Sequence, residues 1–313
     1  MQNWQVSPGT DRIVVLLFDN FSNHCLANTV EPFRAANTIA RAPLYTWRFL
    51  SLSGGAVTSS SGLPVETACW SEAPPEGDYL FLMPSYGFEG LATGTLAGAL
   101  KAARGRFRTL VGCDTGAWLL ARAGLLEGRT ATIHWDELTR FAEAFPQTDT
   151  VEDRFVFDSD LATCGGASTA MELVLEIIKT RHSPMFALEV AALFMHGDKL
   201  DLHNPFQRLT AGRLVSSAAA IMRRRIESPL AIDALAASLH VGQRELEEAF
   251  AGEMQRTPRA VYKSIRLREA RRLVELTTLS VAEIATRCGY QNASAMTRAY
   301  RSEFGVTPRE HRS

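Results

Sequence analysis

None of the five cysteines forms a Cys-x-x-Cys pair or stands at a Cys/His spacing that would hold zinc. That excludes a zinc module and a disulfide framework, and it suits Cys25, Cys69, Cys113, Cys164 and Cys288 to a reducing compartment. No uninterrupted apolar run reaches roughly 18 residues, so no membrane-spanning helix is expected. The opening Met1-Gln-Asn-Trp-Gln-Val-Ser-Pro lacks the basic start and apolar stretch of an export signal. The expectation is a cytoplasmic protein with no membrane partner, no metal and no cofactor. An excess of either charge is also missing: 33 Lys and Arg against 34 Asp and Glu leave a net of −1.

What is present is a repeat near the end of the chain. Leu230-Ala-Ile-Asp-Ala-Leu-Ala-Ala-Ser-Leu239 returns as Leu279-Ser-Val-Ala-Glu-Ile-Ala-Thr-Arg-Cys288. Each copy reads as a short helix, a turn and a second helix. In the first copy the second helix spans Gln243 to Met254, with Leu246, Ala249, Phe250 and Met254 on one face. In the second it spans about Ala293 to Phe304, with Met296, Ala299, Tyr300 and Phe304 inward and Ser294, Thr297, Arg298 and Arg301 outward. Both copies close on Thr-Pro-Arg, at Thr257-Pro258-Arg259 and Thr307-Pro308-Arg309. A polar, basic helix braced across a tight turn has the shape to enter a major groove, so double-stranded DNA is the leading partner.

Charge is divided to match. From Thr210 to Ser313 there are 17 basic and 11 acidic residues; before Thr210 there are 16 and 23. Phosphate contacts supply most non-specific DNA affinity, so the positive part is the part with the repeat for a physical reason.

A chain of 313 residues with 46% hydrophobic content can bury two cores. We expect one domain at 10–201, a joint at 202–210 broken by Asn204-Pro205, and a second domain at 211–313. The first reads as alternating strands and helices. Arg12 to Phe18 is a continuously apolar run, as in a strand covered on both faces. Further strands are predicted at Thr46 to Ser51, Tyr79 to Met83, Thr109 to Cys113, Ala131 to His134, Phe155 to Asp158 and Leu161 to Cys164. Leu26, Val30, Phe33 and Asn37 have helical spacing, although Glu31-Pro32 predicts a turn or a helix start before Phe33. The whole implies an open, flavodoxin-like α/β sheet with its ligand site at the carboxyl ends of the strands, followed by an all-α domain with two helix-turn-helix motifs. Pro258 to Leu276, with Arg266, Arg268, Arg271 and Arg272, is expected to be a long helix that fixes the two reading units about 34 Å apart, one DNA turn.

One strand end stands out. Leu110-Val-Gly-Cys-Asp-Thr-Gly-Ala-Trp-Leu-Leu-Ala121 passes from strand to helix through Gly112, Asp114 and Gly116, an elbow of the kind that often carries a nucleophile. With Cys113 there and His134 at another strand end, a Cys-dependent hydrolase or amidase fused to a DNA-binding module is a competing reading.

These strings resemble known families. From about Leu209 the chain resembles the AraC/XylS-type DNA-binding domain, in Ile284-Ala-Thr-Arg-Cys-Gly-Tyr290, Ser294, Arg298-Ala-Tyr300 and Phe304-Gly-Val-Thr-Pro308. The N-terminal part looks like the class I glutamine amidotransferase-like fold of the PfpI superfamily. Together they resemble the GlxA subfamily, in Val30-Glu-Pro-Phe-Arg-Ala-Ala-Asn37, Asp114-Thr-Gly-Ala-Trp-Leu-Leu-Ala-Arg-Ala-Gly-Leu-Leu126, Ala131-Thr-Ile-His-Trp135 and Thr163-Cys-Gly-Gly-Ala-Ser-Thr169.

The resemblance weakens the enzyme reading. The catalytic relatives' nucleophile falls at Asp114, one residue after Cys113, and their acidic partner aligns with Cys25. Neighbouring side chains on a strand point opposite ways, so Cys113 should face the sheet packing and Asp114 the pocket. The resemblance thus implies a non-enzymatic regulator, an activator and homodimer that works with RNA polymerase and answers to an amino acid, betaine or amine. The candidate ligand contacts are Glu31, Asp114, Thr115, His134 and Trp135; an acid beside an aromatic suits a cationic ligand. Each also has a plain role: a turn for Asp114, a helix start for Glu31, a strand end for His134, and core for Trp135, Trp118 and Phe33. The candidate DNA contacts are Gln243, Arg244, Asn292, Ser294, Thr297, Arg298 and, on phosphate, Arg301. Glu247-Glu248 weakens the first reading helix near phosphates, although a glutamate can accept from cytosine.

Overall fold

The computed structural model describes residues 9–71, 76–194 and 211–312. By contacts the chain divides between Ile178 and Lys179. The N-terminal unit runs β1 (Asp11–Leu17), α1 (Asn23–Ala40), β2 (Tyr45–Ser51), β3 (Gly55–Thr58), β4 (Pro64–Cys69), β5 (Gly77–Met83), α2 (Phe88–Leu91), α3 (Gly94–Arg104), β6 (Phe107–Cys113) and α4 (Gly116–Arg122). It continues with β7 (Thr130–Ala131), α5 (Leu138–Ala144), β8 (Asp149–Thr150), β9 (Phe155–Asp158), β10 (Leu161–Cys164) and α6 (Ala167–Arg181). Eight strands form one sheet in the order β3-β4-β2-β1-β5-β6-β10-β9. Its inner strands are parallel, and β3 and β9 close the edges antiparallel.

Parallel strands covered by helices on both faces must be apolar at every position, and β1 is buried at all but Arg12. Alternate residues serve opposite faces. Val14, Leu16, Leu80 and Leu82 pack with Leu96 and Leu100 of α3 and Leu119 and Leu120 of α4. Phe81 instead meets Phe33 of α1, with ring centroids 6.1 Å apart.

Three departures from the sequence reading have physical causes. Helix α1 runs unbroken through Pro32, where a turn or a helix start is predicted. An interior proline costs about 3 kcal/mol. Here it lies on a face that buries Cys25, Leu26, Thr29, Pro32, Phe33, Ala35 and Ala36, and that packing outweighs the lost hydrogen bond. The strand expected at Ala131 to His134 shrinks to β7, which pairs only with β8 outside the main sheet. The Thr132 amide donates to the Thr163 hydroxyl at 2.9 Å instead of to a strand carbonyl, and so leaves the ladder. The β3–β4 hairpin escapes prediction because it is mostly exposed and carries no apolar alternation.

The C-terminal unit is helical: α7 (Pro184–Leu193), α8 (Ala211–Arg224), α9 (Ile232–Ser238), α10 (Gln243–Met254), α11 (Pro258–Leu276), α12 (Val281–Arg287), α13 (Ala293–Phe304) and α14 (Pro308–Arg312). Both helix-turn-helix motifs form, as α9–α10 and α12–α13, and α11 serves two cores. Val261, Tyr262 and Ile265 join the first, around Leu235, Leu246 and Phe250. Leu267, Ala270, Leu273 and Val274 join the second, around Ile284, Met296 and Tyr300. Met185 of α7 packs into the first core, so this helix keeps company with the helix-turn-helix motifs. The expected joint at 202–210 lies outside the described residues. No helix among the described residues is long and apolar enough to cross a membrane.

Candidate functional site

The elbow after β6 is forced by two close approaches. A Cβ on Gly112 would stand 2.7 Å from the Ala117 nitrogen, and one on Gly116 would stand 2.6 Å from the Leu82 carbonyl. Between them Asp114 adopts φ 59°, the left-handed region that L-residues avoid. Its amide donates to the Cys164 carbonyl at 3.0 Å, and its own carbonyl accepts the His134 amide at 3.1 Å. The side chain lifted by the turn is therefore a carboxyl, held where β5, β6 and β10 end. Burial pushes its pKa up, and a hydrogen bond from Ser85 and the charge of nearby His134 only partly offset that.

Ser85 is the hub of this corner. It is itself at φ 49°. Its hydroxyl accepts from the Ser22 amide at 3.0 Å and bonds the Asp114 carboxyl, while its carbonyl accepts from the Thr115 hydroxyl at 2.7 Å. Trp135 follows His134 and opens a single 3-10 turn; its ring lies 5.7 Å from the imidazole and is 73% exposed. Below the elbow, Cys113 is fully buried and hydrogen-bonded to Cys25 and Cys164, which together with burial drive its thiol pKa well above the ordinary value. His134 Nδ1 accepts from the Asp136 amide instead of meeting that thiol.

In the helical unit the second helices of the two motifs differ in charge. On α10, Gln243 donates to Glu247 at 2.8 Å, and Arg244, 92% exposed, pairs with Glu248 at 2.8 Å. On α13 no acid is exposed, and Arg298 and Arg301 face outward. Ser294, Thr297 and Arg298 line a groove of about 460 Å³ that continues to Thr307 and Arg309. Asn292 accepts from the Ala295 amide at 2.8 Å, capping α13. Arg266 of α11 donates to the Cys288 and Gly289 carbonyls at 2.7 and 2.6 Å and stacks over Tyr290, fixing the turn before α13. Buried Ser264 receives Arg256 at 3.3 Å and donates to Glu303 at 2.7 Å, linking the ends of α10 and α13.

The DJ-1/PfpI family matches residues 11–180, and a helix-turn-helix domain family matches residues 235–313. The chain is 34% identical over 307 residues to the HTH-type transcriptional regulator CdhR of Pseudomonas aeruginosa, covering 95% of this chain and 90% of that one. It is 33% identical over 312 residues to the HTH-type transcriptional regulator GlxA of Rhizobium meliloti, covering 96% and 95%. The chain belongs to the GlxA-type AraC-family transcriptional regulators. The crystal structure of an AraC-family transcriptional regulator from Pseudomonas putida aligns with a TM-score of 0.53 at 26% identity, over 59% of this chain and 99% of that one.

In this GlxA-type regulator the structure gathers Asp114, Thr115, His134 and Trp135 at one corner. Glu31 stands on α1, where its carboxylate pairs with Arg34, three residues on, at 2.8 Å. Trp118 and Phe33 are core, as read from the sequence, whereas Trp135 is not. Of the DNA candidates, Ser294, Thr297 and Arg298 share one groove, Arg301 stands outward on α13, and Gln243 and Arg244 are held by their own helix. Ser85 and Arg309 were missed. Ser85 gave no signal beyond its place after an apolar strand, and Arg309 stood in the repeated Thr-Pro-Arg.

Proposed function

We propose that this regulator senses a small cationic nitrogen compound, an amino acid, betaine or amine, over Asp114, with His134 and Trp135 as further contacts and Thr115 holding the loop. The observation that carries the reading is a carboxyl at the apex of a strained elbow beside an exposed tryptophan. A carboxylate with a raised pKa gains from a cation, and a cation over an indole adds about 0.5–2 kcal/mol. Binding would favour one arrangement of the DNA-binding modules only if the ligand prefers it. Activation, dimerisation through the N-terminal domain, contact with RNA polymerase and action in the cytoplasm belong to the same proposal. On the DNA side, α13 supplies most of the base reading, through Ser294, Thr297 and Arg298, with Asn292 at its start.

The elbow works here as a binding device without turnover. Cys113, buried and protonated among two other thiols, has neither access nor a base. The test is a thermal-shift screen of the whole chain against amino acids, betaines and polyamines, with mass spectrometry of each hit. Stabilisation by a compound that stays intact supports the reading, because a ligand of the folded state must stabilise it. Cys113→Ala should keep that stabilisation; conversion of the compound by the parent protein and not by this variant would move the function to catalysis.

A further inference from the structure

The repeated Thr-Pro-Arg has two parts with a folding role and one without. Helices α10 and α13 begin at Gln243 and Ala293, and the two tripeptides follow at the same 50-residue offset. Thr257 caps α11 by accepting the Ala260 amide at 3.2 Å, and Thr307 does the same for the Glu310 amide at 3.3 Å. Pro258 and Pro308 are buried at the first helical position, where a missing N–H costs nothing. Arg259 and Arg309 are exposed, and among the described residues neither makes a hydrogen bond, ion pair or ring contact.

Several other arginines of this unit are held by partners. Arg266 is clamped to two carbonyls, Arg271 pairs with Glu275, Arg272 with Glu269, and Arg312 donates to the Val274 and Leu279 carbonyls. The groove beside α13 shows what the leftover arginine faces. Arg298 and Arg309 flank it, Ser294, Thr297 and Thr307 add hydroxyls, and no carboxylate lines it. Beside the α13 side chains assigned above to the bases, the Arg309 guanidinium with no carboxylate in its groove suits a phosphodiester, which needs positive charge and hydrogen-bond donors. In the first copy the place of Arg298 is taken by Glu248, which occupies Arg244. Arg259, fifty residues before Arg309, is then an unpaired cation at the matching position of the first copy.

We propose that Arg259 and Arg309 each hold a DNA phosphate beside a reading helix, as a matched pair that sets the register of both motifs on the duplex. This rests on the DNA-binding reading. The experiment is a salt titration of the full chain on a mixed-sequence DNA duplex. Arg259→Gln and Arg309→Gln should each lower the slope of log affinity against log salt by about 0.9, and the double variant by about 1.8, equally on every sequence. Arg48→Gln, an exposed arginine of β2, serves as the control and should leave the slope unchanged. Parental slopes in both variants would overturn the assignment while leaving DNA binding intact, and a change in only one would overturn the pairing. Failure of the parent protein to bind any duplex would remove the DNA reading and this inference with it.

Discussion

The main-chain N–H of His134 donates to the carbonyl oxygen of Asp114 at 3.1 Å. The imidazole and the carboxyl are thus brought together by backbone, and either side chain can be replaced without releasing the other. This makes the corner open to clean substitution.

Asp114→Gly should stabilise the N-terminal domain and abolish its response to a cationic ligand. A left-handed conformation costs an L-residue about 1–2 kcal/mol, part of which glycine returns through its freer unfolded chain. A net gain of about 0.5–1 kcal/mol is expected from equilibrium unfolding. A loss of stability would mean that the carboxyl, through Ser85, contributes more than the turn costs.

Acid stability carries the mark of the same group. The Asp114 carboxyl titrates above its ordinary value of 3.8 in the folded chain, so between the two values the folded state holds the extra proton. Its contribution therefore falls as pH rises through that window, opposite in sign to a salt-bridged aspartate. Unfolding of Asp114→Asn against pH should lack this component, and the affinity of the parent protein for a cationic ligand should rise through the same range. Identical pH profiles for the two proteins would refute the assignment.

Ser264→Ala should weaken the helical unit more than an ordinary serine change. Ser264 is buried and donates to Glu303, which is 7% exposed. A hydrogen bond to a buried charge contributes about 1.5–3 kcal/mol. Denaturant midpoints of the two proteins give the difference; a change below about 0.5 kcal/mol would place this link among neutral surface effects.

Neutralising α10 should tighten DNA binding. Glu247→Gln with Glu248→Gln removes two exposed acids and frees Arg244. Each charge near phosphate opposes binding by about 1 kcal/mol at low salt, roughly fivefold, fading as salt rises. Tighter binding on all sequences is the expected result from fluorescence anisotropy. Weaker binding confined to sites with a particular cytosine would instead make these glutamates base readers.

Periodicity was the legible part of this molecule. The boundaries of α10 and α13 could be read to the residue because Leu246, Phe250, Met296 and Tyr300 leave no other face to bury. The elbow was legible from Gly112 and Gly116, whose lack of a side chain marks a close approach. What escaped depends on partners distant in sequence. Pro32 reads as a break until the face it buries is known, and Thr132 reads as strand until the Thr163 hydroxyl takes its amide. Ser85 became a hub only once the chain ends of β5 and β6 lay side by side.

Because α11 lends its first half to one core and its second half to the other, its 19 residues act as a ruler of about 28 Å. They act as a protractor as well. One residue inserted near its middle would advance α13 by only about 1.5 Å but turn it by about 100° relative to α10. On the proposed DNA reading, operator spacing is therefore written as an angle in the length of one helix, and such a change would leave every proposed contact side chain intact while aiming half of them at solvent.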